Sequence, residues 1–364
     1  MSLLDFGPIA SFLGRGEASI TVPTLDGAFR PNDFLETADL FGDYAGADTI
    51  VVADGQLLLS AGCEVLQIGP NASKVIATFD ADITALCADG PVIAVGLASG
   101  GVSIVGGPHD RSHIDAVKGK PLTCPTALLL EGDSLTITEG SDRTTPTHWS
   151  RDLLERNVCG RVVRVDLSSG QQEVLASKVA YANGLVKTPA GDVVISQSWH
   201  HCLSPITDLS KTGSSCHNLP GYPSRISAAG DGGYWLAIFG VRTQLIEFVL
   251  REDQYRKRML DTIAPEHWIA PSLVSQTNFL APLQQGSVKK LGVLKPWAPP
   301  RSYGLVVKLD SDFRPLFSLH SRVGGLRHGV TSAVELDGVL YVVSKGAGQV
   351  IAVDLASVQR EIVQ

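Results

Sequence analysis

The chain has 364 residues, a formal net charge of −7 and 44% hydrophobic residues, with 37 glycines and 20 prolines. That balance offers no basic face to nucleic-acid phosphates, and no apolar run approaches the roughly 20 residues that a membrane-spanning helix needs. No basic stretch precedes the apolar residues of MSLLDFGPIASFLG, and the six cysteines form no CxxC. The expectation is a reduced, cytoplasmic protein without secretory leader or zinc cluster, partnered by neither nucleic acid nor membrane and built of many short strands joined by turns.

The first candidate strand in chain order is Ser19–Pro23 (SITVP). After it an inner hairpin recurs: a polar pair, an apolar run, a Gly-containing turn and a second apolar run. It occupies residues 47–60, 81–96, 124–138, 182–196, 223–237 and 330–343. Between these lie outer hairpins, of the type G-x-V-V-x-V-D followed by a polar strand, at 63–79, 160–175, 304–319 and 348–363, with weaker versions at 100–107 and 202–219. Alternating β-branched and aromatic residues around such turns read as antiparallel hairpins. Four strands per repeat and six repeats predict an all-β, six-bladed β-propeller with a central channel, a single domain over residues 1–364, in preference to two packed sandwiches. Ser19–Pro23 is then expected to complete the last blade. Two stretches exceed the repeat: 139–159, with a short helix expected at Ser150–Arg156, and 250–303, which ends in the Pro-rich KPWAPPRSYG. Insertions of this length lie over one face of a ring, as a binding mouth or as a solvated excursion.

Counting back from the turn of each inner hairpin aligns the starts of the innermost strands, which converge on the channel of a propeller. The count predicts a polar mouth of mixed charge made by Asp48, Asp82, Asn183, Ser224, Arg225 and Thr331. Arg225 among carboxylates reads equally as a structural ion pair or as a ligand clamp.

The segments GRVVRVDLSSGQQEVL (160–175), AYANGL (180–185), LPGYPSRI (219–226), GDGGYWLA (230–237) and VTSAVELDGVLYVVSKGAGQVIAVDL (330–355) resemble the strictosidine synthase-like family, itself related to the gluconolactonase and paraoxonase six-bladed propellers. In the lactonase relatives the resemblance implies a calcium ion on the channel axis, held by a Glu, two Asn and an Asp-Asn pair. Carried over position by position, one Asn is kept as Asn183; the others fall on Ala47, Pro125 and Ser224-Arg225. Ca²⁺ requires several hard oxygen ligands, so no cofactor is expected beyond a weak Ca²⁺ site through Asn183, with Asp48 and Asp82 nearby. In the strictosidine synthases the resemblance implies a Glu on the last blade that handles an amine proton. Thr331 stands there, and its hydroxyl is no acid/base near neutral pH.

Histidine titrates near neutrality. His328, two residues before the last inner hairpin, and Glu139, at the end of the third, are the candidate catalytic pair, an imidazole with a carboxylate to activate water. Trp199 and His200 join the candidate substrate contacts, and Arg225 or Asn183 would polarise a carbonyl. His148 with His200 or His201 lacks a metal-binding spacing, and no G-x-S-x-G marks a serine nucleophile. The expected function is metal-independent hydrolysis of a small-molecule lactone or ester at the mouth. The alternatives are a non-catalytic propeller that binds a small molecule or protein, and an enzyme that forms or cleaves C–N bonds.

Overall fold

A computed structural model describes residues 22–70, 72–210, 215–275, 289–290, 293–294 and 302–363. The alternating runs fold into six antiparallel sheets arranged as a six-bladed β-propeller. Blade 1 is Ala47–Ala53, Gln56–Ala61, Glu64–Ile68 and Ser73–Thr78; blade 2 is Ile83–Asp89, Val92–Leu97, Val102–Val105 and His113–Ile114. Blade 3 is Pro125–Glu131, Ser134–Glu139, Gly160–Asp166 and Gln172–Val179. Blade 4 has three strands, Ala182–Lys187, Val193–Gln197 and Cys202–Pro205, extended by a single bridge from Leu203 to Cys216. Blade 5 is Gly221–Ala228, Tyr234–Val241, Gly304–Leu309 and Pro315–Ser321. The hairpins turn where the sequence supplies residues that tolerate positive φ, as at Asp54-Gly55 (46° and 72°) and Asp337-Gly338 (51° and 76°).

Blade 6 takes three strands from the C-terminal part of the chain, Val330–Leu336, Val339–Ser344 and Gln349–Asp354, and its fourth from the N-terminal part. The closing strand is Asp39–Asp43, with Leu40 opposite Ile351 and Asp43 opposite Gln349. This corrects the expectation for Ser19–Pro23: residues 19–21 lie outside the described residues, and Val22 and Pro23 are not in a strand. Preceding the closing strand is a one-turn helix, α1 (Phe34–Thr37). Closure also changes the outer hairpin expected at 348–363. Its second half is a helix, because the sheet edge is already paired and Asp354 accepts from the Ala356 N–H (3.0 Å) and the Ser357 hydroxyl (2.5 Å), which starts a turn.

Six apolar clusters fill the six blade junctions. Ile50, Leu59 and Leu66 of blade 1 meet Val334, Val343 and Val350 of blade 6, for example, and Leu58 and Val65 meet Ile83 and Leu86 of blade 2. Near the channel, hydroxyls stitch neighbouring blades through main-chain carbonyls: Thr84 to Pro125 (2.7 Å), Thr126 to Ala182 (2.5 Å), Ser196 to Ser224 (2.7 Å), Ser227 to Ala333 (2.7 Å) and Thr331 to Asp48 (2.6 Å). Each bond gives a main-chain carbonyl a partner across a blade junction.

The two insertions pack on one another over one face. Residues 139–159 carry α2 (Trp149–Glu155), one residue earlier than expected; the excursion within blade 5 carries α3 (Gln244–Arg251) and α4 (Asp253–Thr262). Leu154 packs with Val249, Met259 and Trp268. The Asp152 carboxylate, fully buried, accepts from Trp199 Nε1 (2.7 Å), Thr144 (3.0 Å) and Asn157 (3.0 Å), which pins α2 to blade 4. A last helix, α5 (Leu355–Val363), follows the third strand of blade 6. Most of KPWAPPRSYG, residues 295–301, lies outside the described residues. Among the described residues no helix is long and apolar enough to cross a membrane.

Candidate functional site

Each innermost strand breaks its pairing register close to its start, that of blade 5 twice. The irregularities fall between Ala47 and Ile50, Ile83 and Ala85, Pro125 and Ala127, Ala182 and Gly184, Pro223 and Ile226, and Val330 and Ser332. A bulge leaves a residue out of the ladder and re-aims its side chain. Of the eight residues so released, Asp48, Thr84, Thr126, Asn183, Ser224, Arg225 and Thr331 line one cavity of about 490 Å³ at the channel mouth, and Thr49 lines another. The insertions supply its outer wall through Pro146, Trp149 and Leu273.

The floor is an ion-paired plug. Arg225, from blade 5, reaches across the channel to blade 1, where Nη2 donates to Asp48 Oδ2 (2.7 Å), and to blade 2, where it donates to the Thr84 carbonyl (2.6 Å). Lys345, just after the second strand of blade 6, donates to Asp48 Oδ1 (2.9 Å). Burial alone would raise the Asp48 carboxyl, but Arg225 and Lys345 outweigh it and hold it below its ordinary value. Asp48 is therefore a buried, ionised anchor whose two oxygens are both engaged. Arg225 Nε has no partner among the described residues, and the Asn183 amide, on the cavity wall, has none either. Lys345 keeps 41% of its side chain exposed, so it holds the carboxylate while facing solvent.

Five of the residues expected at the mouth, Asp48, Asn183, Ser224, Arg225 and Thr331, come together there. Asp82 does not: it is exposed, and blade 2 contributes Thr84, two residues further on. Trp199 and His200 line a different cavity. Glu139 is fully buried, bonded to Arg161 and accepting from the Thr123 N–H (2.5 Å) and the Cys124 N–H (3.3 Å); it holds blade 3 together and does not face the mouth. His328 is buried between the Ser302 hydroxyl (2.6 Å from Nδ1) and the Arg322 carbonyl (3.0 Å from Nε2), and burial lowers its pKa. No histidine lines the mouth among the described residues, so the His328–Glu139 pair is corrected to two separate structural groups. Thr84, Thr126, Tyr181 and Lys345 were absent from the expected set. Thr126 occupies the same counted position as Asp48 and Arg225 and was legible; Lys345 lies in the turn after a second strand, beyond a count along first strands.

A hard cation requires several oxygen ligands, carboxylates among them. Asp48 is the one carboxylate lining the mouth among the described residues, and Arg225 and Lys345 occupy both its oxygens. The position that the lactonase resemblance assigns to Ca²⁺ therefore offers it one free amide oxygen beside two cations, a poor fit. No group of three or more His, Cys, Asp or Glu among the described residues is placed to hold a metal ion.

With this geometry in hand, comparison with known proteins agrees with the resemblance read from the sequence. The strictosidine synthase family model matches residues 129–204, which span most of blade 3 and nearly all of the three strands of blade 4. An adipocyte plasma membrane-associated protein from Salmo salar is 26% identical over 236 residues, 63% of this chain and 50% of that protein. The strictosidine synthase-like 7 protein of Arabidopsis thaliana is 30% identical over 150 residues, 39% of this chain and 38% of its own length. The chain thus spans about half or less of the length of these relatives. A gluconolactonase structure from Xanthomonas campestris superposes with a TM-score of 0.53 over 86% of this chain and 87% of that one, at 13% identity, which speaks to the fold.

Proposed function

We propose that this chain, similar to strictosidine synthase-like proteins and built on a gluconolactonase-like propeller, is a small-molecule enzyme that hydrolyses a lactone or ester at the channel mouth without a metal. The observation that carries this reading is that the Asn183 amide, unpartnered on the cavity wall, and the half-exposed Lys345 ammonium line the same mouth. An N–H pair of this kind donates to a carbonyl oxygen and stabilises it more strongly as it becomes an oxyanion. Water adds to the carbonyl carbon, the C–O bond to the leaving alkoxide breaks, and the water's proton ends on that alkoxide. Asp48 fixes the two cations and, held ionised, is a weak base; the set works chiefly by electrostatic stabilisation.

The test is turnover of a panel of lactones and aryl esters by the wild type, Asn183→Ala and Lys345→Met. Loss of one oxyanion donor is expected to lower kcat by about 10²-fold; the melting temperature should hold in Asn183→Ala and fall in Lys345→Met, which strips a counter-charge from buried Asp48. Turnover that requires added Ca²⁺ and disappears with chelator would overturn the metal-free reading. A second reading, a propeller that binds a small molecule without turnover, is favoured by the Asp48 clamp, which leaves the mouth with no unengaged carboxylate or imidazole among the described residues. Melting shifts with the same compounds and no product would select it.

A further inference from the structure

A second and larger cavity, of about 1220 Å³, opens beside blade 4, between its third strand and helices α2 and α3. Three arginines reach it from separate elements: Arg156 from the C-terminus of α2, Arg242 from just after the second strand of blade 5, and Arg251 from the end of α3. They face a single carboxylate, Glu247, in a chain whose net charge is −7. Arg242 pairs with Glu247 through two bonds of 3.1 Å and with Asn218 at 3.0 Å. His201 adds a contact to Glu247 at 3.5 Å while bonding the Gly221 carbonyl at 3.0 Å. The acid is thereby matched within its own wall, and Arg156, which forms no ion pair among the described residues, contributes charge that nothing in the wall offsets.

The backbone here is costly to hold. Arg156, His201 and Asn218 all take left-handed φ, at 56°, 52° and 54°, where glycine is the easy choice. Strain of this kind concentrates where side chains must be aimed. The inner wall is apolar: Leu153, Leu250 and the Trp199 indole. Trp199 lies tilted against Tyr181 (4.4 Å between ring centroids, 33° between planes), and Tyr181 lines the mouth, so an aromatic partition separates the two cavities.

We propose that this second cavity binds an organic oxyanion, a carboxylate or phosphate carried on a flat apolar body, with Arg156 and His217 meeting the anion and Trp199 the body. Charge-assisted bonds from arginine suit a planar oxyanion, and an indole wall suits a ring.

The test is calorimetric titration of the intact chain with phenyl phosphate, benzoate and inorganic phosphate, with tryptophan fluorescence as a second readout. Binding of either aromatic anion, tighter than inorganic phosphate and weakened by salt, is expected; which of the two binds assigns the headgroup. Arg156→Gly removes the charge at a left-handed position that glycine accepts readily, so the fold is retained and affinity should drop at least about tenfold, one bond to a charged group being worth that much. His217→Ala, at an exposed site, should weaken binding in the same direction. Asn183→Ala, at the mouth, should leave it unchanged. Absence of binding by both aromatic anions overturns the proposal, as does binding that falls with Asn183→Ala and not with Arg156→Gly.

Discussion

Arg225 crosses the channel from blade 5 to blades 1 and 2, and one side chain thereby decides what the mouth can bind. Removing one partner of such a pair leaves an uncompensated buried charge, so the plug resists substitution more than the amide beside it. The channel residues were partly legible because a strand start can be counted from its turn. Asp82 was misplaced because Gly90 is the first of the two turn residues in blade 2 where Gly55 is the second in blade 1, so a count back from the glycine overshoots Thr84. His328 and Glu139 looked chemical in sequence because imidazole and carboxylate are the usual acid–base groups, but burial between fixed partners makes them structural. His320 shows the same conversion. It is fully buried, with Tyr303 (3.0 Å) and Ser318 (2.6 Å) on its two ring nitrogens, and burial pushes its pKa down from 6.5 to about 4. The unfolded chain then binds the extra proton between these two values, so stability falls as pH drops from about 6.5 towards 4. The loss attributable to His320 is on the order of 3 kcal/mol. Urea midpoints of the wild type and His320→Gln between pH 7 and 4 should diverge in slope, with the variant shallower. His201 and His328, also lowered by burial, and carboxylates held low such as Asp48 and Glu247 supply the slope that remains. Parallel curves would mean that His320 titrates as in the unfolded chain.

At the level of elements, the innermost strands pack so closely that glycine is dictated where they meet. Gly184 has an ordinary φ, yet a Cβ there would lie 2.4 Å from the Ser224 carbonyl oxygen and 2.8 Å from Arg225 Cα, both main chain of the next blade. Gly184→Ala must therefore push apart blades 4 and 5 at the point that aims Arg225. Overpacking of this kind costs about 1–3 kcal/mol, and Arg225 should lose its reach to Asp48. The expected result is a lower denaturant midpoint together with weaker ligand binding at the mouth, read on one sample by melting with and without ligand. A variant as stable as the wild type would show that the two strands can separate freely. Hairpins were legible as elements because their turns carry Gly and Asp at positions of positive φ. The helical insertions were legible only as excess length: α3 and α4 owe their places to contacts with α2, and Trp149 and Leu273 reach the mouth from segments that follow no repeat.

The whole ring depends on a bond between distant parts of the chain. An open propeller leaves an unpaired edge on Gln349–Asp354, and Asp39–Asp43 covers it. The preceding turn adds to the closure. Leu35 is fully buried among blade 5 and 6 residues, Glu36 accepts from Ser321 (2.6 Å) and the Leu326 N–H (3.1 Å), and Arg327 donates to the Leu35 carbonyl (2.8 Å). Between Leu40 and Ile351 more than 300 residues intervene, and closing so long a loop costs conformational entropy that only the completed ring returns. The sequence pattern anticipated that an N-terminal strand closes blade 6 but not which one, because short apolar runs such as SITVP and DLFGD look alike until Leu35 and Glu36 fix the second in place. Deleting residues 1–45 should therefore lower the melting temperature and broaden the transition, and it should expose an edge that drives association at high concentration. Adding a synthetic peptide of residues 24–46 should restore a sharp transition in proportion to its concentration, by mass action on the folded ring. Differential scanning calorimetry of the truncated chain, with and without peptide, decides the matter. A truncated chain that melts like the full one, and ignores the peptide, would show that the blade junctions alone hold the ring closed.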